Sequence, residues 1–151
     1  MDLLGGAIRV DYWPFTGLVD ASLIRQVPDH QEVFLFKDND DSIIFEIVVH
    51  DDEMTLKDHF KDIAECNDCS EYSVLATHGD CLWGRQHSVT KFNRKADQSD
   101  GITLFLGRRQ FTEHQADILL SINFCQEPSI SFDEFQRIVE SIQIVDPSLF
   151  T

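Results

Sequence analysis

The chain is short of cations. Its 151 residues carry 12 Lys and Arg against 27 Asp and Glu, a formal charge of −15. Phosphate backbones and anionic lipid surfaces need Lys and Arg to neutralise them, so neither nucleic acid nor a membrane surface is an expected partner. The natural complement is a basic protein surface. Cysteine is scarce too. Cys66, Cys69, Cys81 and Cys125 are too few for a disulfide scaffold, and reduced thiols in the cytosol or nucleus are expected. Long apolar runs are missing. The longest, residues 42–49, is interrupted by Glu46 and falls far short of the ~20 residues that span a bilayer. Residues 1–6 have neither a cationic stretch nor a long apolar core, so no targeting segment is read there. No repeat and no Pro-, Gly- or Ser-rich linker divides the chain, and residues 1–151 read as one domain.

Motifs for covalent and nucleotide chemistry are lacking as well. Gly5-Gly6 has no third glycine and no helix behind it, so it is no dinucleotide fingerprint. There is no Gly-x-Ser-x-Gly and no phosphate-binding Gly-rich lysine loop. The six His, at positions 30, 50, 59, 78, 87 and 114, fall in different elements without a ligand-like pair. Cys66-x2-Cys69, followed by His78 and Cys81, offers sulfur and nitrogen ligands for zinc, but the spacing fits no standard finger. Cys66 also ends an apolar helix stripe, where free cysteine packs as a small hydrophobe. Asp38-Asn39-Asp40-Asp41 starts like a calcium loop yet lacks Gly at its sixth position and Glu at its twelfth, which is Val49. No metal, cofactor or catalytic residue is therefore assigned. A small hydrolase or metal protein using the cysteines and histidines stays open as a competing class.

What is present is an ordinary apolar fraction, 42%, enough to build a core despite the charge. Residues 7–13 read as a strand, and 20–25 as a helical turn capped by Asp20 or Ser22. Residues 33–36 and 42–49 read as a hairpin around the acidic turn 38–41, with apolar residues on both faces and so a cover on both sides. Thr55-Leu56-Lys57-Asp58 is a capping-box pattern ahead of a helical stripe of Leu56, Phe60, Ile63 and Ala64, ending near Cys66. Strands are expected over 73–76, 81–92, 102–106 and 117–124, with a polar loop over 93–101. In the last of these strands, alternation buries one face more than the other. Ser131-Phe132-Asp133-Glu134, a second capping-box pattern, opens a second helix with the stripe Phe132, Phe135, Ile138, Val139 and Ile142. Residues 144–150 run out extended. The sum is an α+β fold: an antiparallel β-sheet flanked by helices on its faces.

Acidity concentrates early. Residues 1–70 hold 16 acids and 5 bases, and residues 71–151 hold 11 and 7. Within the acidic half, Asp20, Arg25, Asp29 and Glu32 gather around a short turn and the Pro28 break. As local structure, Asp29 is a turn residue and Glu32 a solvated strand start. As chemistry, the group is an acidic docking epitope, in which complementary charge steers association and fixes register.

The same residues carry a family likeness. Leu4-Gly5-Gly6-Ala7-Ile8, the block from Val19 to Phe34 with its core Val27-Pro28-Asp29-His30-Gln31-Glu32-Val33, Asp41-Ser42-Ile43-Ile44-Phe45-Glu46, Asp117-Ile118-Leu119-Leu120-Ser121-Ile122-Asn123 and Val145-Asp146-Pro147-Ser148-Leu149-Phe150 resemble the Ran guanine nucleotide release factor family. The Val19–Phe34 block is the specific one; residues 51–101 match poorly. The resemblance implies a curved antiparallel sheet flanked by helices, shared with the PsbP proteins. It implies the GTPase Ran as partner, a non-catalytic role in nucleotide release and nuclear import, and residence in nucleus and cytoplasm as a monomer. It places Ran contacts at Asp29 and Glu32, with Asp20 and Arg25 added by their nearness in sequence. An interaction adaptor of the same fold without release activity is the alternative.

Overall fold

The aromatic and β-branched runs on either side of the acidic turn pair as neighbouring antiparallel strands. A computed structural model describes residues 1–20, 31–66, 69–88, 101–125 and 127–150. In chain order its strands are β1 (Asp2–Leu3), β2 (Ile8–Val10), β3 (Val19–Asp20), β4 (Gln31–Phe36), β5 (Ser42–Val49), β6 (Cys69–His78), β7 (Cys81–Ser88), β8 (Gly101–Phe111), β9 (Ala116–Phe124) and β10 (Ile142–Ile144). The helices are α1 (Leu56–Cys66) and α2 (Phe132–Glu140). Neither is long and apolar enough to cross a membrane.

β3 to β9 make one antiparallel sheet in the order β3-β4-β5-β9-β8-β7-β6, and β1-β2-β10 make a second, small one. The hairpin β4–β5 is the expected one. Its turn is structural: Asn39 Oδ1 accepts the Asp41 N–H at 2.8 Å, and Asp41 Oδ1 accepts the Cys125 N–H at 2.8 Å, tying the turn to the end of β9. Asp41 is buried, and burial raises its carboxyl pKa. The turn is thus not merely solvated.

Alternation along the strands sorts side chains onto two faces. On one, Phe34, Phe36, Ile43, Phe45, Phe105, Ile118, Leu120, Ile122 and Phe124 meet α2 and the small sheet. Phe105 lies 5.1 Å from Phe124 and 5.4 Å from Phe135, both edge-on, the arrangement ring quadrupoles favour. On the other face, Leu82, Leu104 and Leu106 meet Leu56 and Phe60 of α1. Each helix rests on a glycine. A Cβ at Gly107 would collide with Val139 of α2, and one at Gly84 with the Ser73 carbonyl and the Phe60 ring of α1.

Both helix starts follow their sequence signals. The Thr55 N–H donates to Asp58 Oδ2 at 2.9 Å, and the Asp58 N–H donates to Thr55 Oγ1 at 3.1 Å, a reciprocal box. Ser131 caps α2 by accepting the Glu134 N–H at 3.1 Å. The Glu134 carboxylate accepts the Tyr12 hydroxyl at 3.0 Å, and Arg137 lies 4.1 Å over the Tyr12 ring. Tyr12 therefore clamps α2 to the chain just after β2.

Four expectations change. The first strand is only Ile8–Val10, because Leu4, Gly5 and Gly6 all take positive φ in a tight turn from β1. Asp20 sits in β3; the rest of the expected turn 20–25, and residues 89–100, lie outside the described residues. β9 is buried on both faces, since Asp117 and Leu119 are covered from the α1 side. Residues Pro147–Phe150 coil into a 3-10 turn rather than running extended.

Candidate partner-binding site

β3 pairs with β4 only at Asp20–Leu35 and Val19–Phe36. The segment from Gln31 to Phe34, which carries the end of the acidic motif, precedes the described part of that pairing in β4. Asp20 stands opposite Leu35 at the end of β3. Asp29 and Arg25 lie outside the described residues.

Strand pleating splits the motif between faces. Glu32, opposite Phe45, turns to the side of the small sheet, where its Oε1 accepts the Leu4 N–H at 2.6 Å. Leu4 opens the positive-φ turn between β1 and β2, so Glu32 pins that turn to the sheet. Glu32 is half-buried and structurally engaged, not a solvated strand start. Gln31, opposite Glu46, turns to the α1 side.

That side holds a groove the sequence did not announce. Helix α1 packs over β6, β7 and β8, leaving β4, β5 and part of β9 beside it. Ile44, Val48 and Leu119 floor a cleft of ≈ 450 Å³; Met54 and Ile63 wall it, and Gln31, Glu46 and Asp62 add polar groups. The sequence expectation of a cover on both faces of β4 and β5 fails here: Val33, Ile44 and Val48 are half-buried, and Leu35 is 38% exposed. The signal was available, since Glu46 breaks the apolar run on this face alone.

His59 lines the cleft, and His50 lies in the loop that follows β5. His59 has a lowered pKa, through burial first and then the nearby Arg108 charge, so it is neutral at pH 7 and does not offset Glu46 and Asp62. His50 is the reverse case. Its Nδ1 lies 2.9 Å from Asp117 Oδ1, and its Nε2 lies 2.6 Å from Asp52 Oδ1. Only the protonated ring donates from both nitrogens. The hydrogen bonds to Asp117 and then Asp52 raise its pKa. This strap fastens the loop between β5 and α1. Arg108 fastens it again, donating to the Met54 carbonyl at 3.0 Å and pairing with Asp80 at 3.2 Å.

The cysteines do not converge. Cys69 and His78 occupy opposite ends of β6, roughly 30 Å apart at strand rise. Cys81 is buried and its thiol is pushed up to about 12, chiefly by desolvation. Among the described residues no three His, Cys, Asp or Glu are grouped to hold a metal ion.

The fold and this site define an α+β protein whose antiparallel sheet carries a half-open apolar face beside its first helix. The chain belongs to the family described as Ran-interacting Mog1 protein, which matches residues 1–125. It is 28% identical to the Ran guanine nucleotide release factor of Bos taurus, over 98% of this chain and 94% of that protein. It is 27% identical to the nuclear import protein MOG1 of Saccharomyces cerevisiae, over 99% of this chain and 84% of that protein. Its fold is that of the crystal structure of the Saccharomyces cerevisiae Ran-binding protein Mog1p, with TM-score 0.75, 25% identity, and coverage of 100% of this chain and 97% of that one.

Proposed function

We propose that this protein binds the GTPase Ran and promotes release of its guanine nucleotide, in support of nuclear import. The observation that carries this reading is the acidic motif that ends at Glu32 in β4, in a family described by its interaction with Ran. Asp29 and Glu32 are the proposed primary contacts, with Asp20 and Arg25 flanking them. The protein acts as a single domain and a monomer, in nucleus and cytoplasm, without covalent chemistry.

Release then follows from linkage. A protein that prefers nucleotide-free Ran must weaken nucleotide binding by the same factor, and a tenfold effect needs about 1.4 kcal/mol of preference. Carboxylates that pair with lysines near the nucleotide phosphates supply such a preference, because they replace part of the phosphate charge.

Loss of fluorescent GDP from Ran, followed with wild-type protein and with the double variant Asp29→Asn, Glu32→Gln, tests the reading. Gln at 32 keeps an acceptor for the Leu4 N–H while removing the charge. Slowed release with weakened Ran binding is expected. Full release by the double variant would overturn the assignment. The engagement of Glu32 with Leu4 favours one second reading, an adaptor in which the motif shapes the fold; Ran binding without nucleotide loss would identify it.

A further inference from the structure

Arg109 is the exception among the described arginines. Arg9 pairs with Asp11, Arg85 donates to Thr103, Arg108 pairs with Asp80, and Arg137 stacks on Tyr12. Among the described residues, no hydrogen bond or ion pair holds the Arg109 guanidinium, and its Nε is buried without an acceptor. In a chain of charge −15 an unmatched arginine is unexpected on composition alone. A buried N–H without an acceptor is also unfavourable. The Phe111 ring, 5.5 Å from the guanidinium carbon, orients the side chain but accepts no hydrogen bond in its plane.

Arg109 lines a cleft of ≈ 440 Å³ between β8 and β10. Phe111, Ile142 and Ile144 give it apolar walls, and Thr112 and His114 add polar groups. Glu113 is the single carboxylate among the lining residues. The Gln143 side chain is turned elsewhere, to Arg9 and Asp11. The volume suits a small organic ligand. The cleft lies at the β10 edge of the small sheet, whereas Glu32 engages the turn after β1 at the opposite edge, so this site is independent of the proposed Ran contacts.

We propose that this cleft binds a small organic anion, a carboxylate or a phosphate monoester. Its oxyanion meets Arg109 and its apolar body lies against Phe111 and Ile144. A guanidinium fork matches either oxyanion, so the two sources share one chemistry.

Titration of the full chain under ¹H–¹⁵N NMR, reading the Arg109 Nε–H, tests it. The probes are benzoate and phenyl phosphate, with acetate and inorganic phosphate as bare anions. The expected result is a saturable shift of that signal, at lower concentration for the aromatic probes than for the bare ions. The tighter of benzoate and phenyl phosphate names the source. Arg109→Gln should weaken binding by about tenfold or more, the loss of one charge-assisted contact. An Nε–H unmoved by all four probes would end the proposal, as would unchanged affinity in Arg109→Gln. The wild-type titration decides the matter even if that variant folds poorly.

Discussion

The two faces of the large sheet are built differently. The α2 face is one continuous core, running from Phe15 and Phe34 through Phe105 and Phe124 to Phe135 and Ile142. The α1 face has a compact cluster of five buried residues under the helix and a cleft beside it. Burial at roughly 25 cal/mol per Å² makes the first face the main source of stability. The second leaves part of its apolar surface half-buried beside the helix. The fold thus closes one face as core and leaves the other partly open.

That contrast can be broken by experiment. Phe135→Ala, deep in the aromatic core, should cost about 3–5 kcal/mol in urea denaturation, against about 2 kcal/mol for Leu56→Ala at the edge of the smaller cluster. Equal losses would erase the distinction. Gly107→Ala should cost about 1–3 kcal/mol, because the new methyl must displace Val139 and lift α2. Glu32→Ala should cost about 1–2 kcal/mol by stripping the Leu4 N–H of its acceptor, while Glu32→Gln should sit near wild type.

A subtler difference is confined to the α1 side. His50 has a raised pKa, so its contribution is fully present below 6.5 and is lost as the pH climbs through its folded value. His59 has a lowered pKa, so it takes stability away as the pH falls below 6.5. Urea midpoints across this range should lose their alkaline decline in His50→Asn and their acidic decline in His59→Asn. The smallest change is expected at Glu46→Lys. That exposed position should hold stability within about 0.5 kcal/mol while cancelling the net negative charge of the cleft.

Much of the fold was legible because its signals are local. Thr55 and Asp58 form the box their spacing promised, Ser131 caps α2, and the turn 38–41 joins the two strands it separates. Errors arose where distant partners decide. Glu134 has the spacing of a capping-box acid but is taken by Tyr12, 122 positions away. Asp117 reads as a solvent-facing residue, yet is 2% exposed because His50 shields and neutralises it. The candidate site was half legible. Its acids follow from composition, but the cleft beside them exists only because α1 lies over β6–β8, a placement no sequence period encodes.

The small sheet has a kinetic consequence. β10 joins β2 through pairs such as Gln143 and Arg9, which are 134 positions apart. Closing a loop of that length costs about 4 kcal/mol in chain entropy before any contact rewards it. The seam between β2 and β10 is therefore expected to zip late in folding and to part early under denaturant. Amide hydrogens of Ile8–Val10 and Ile142–Ile144 should exchange with solvent well before those of β8 and β9.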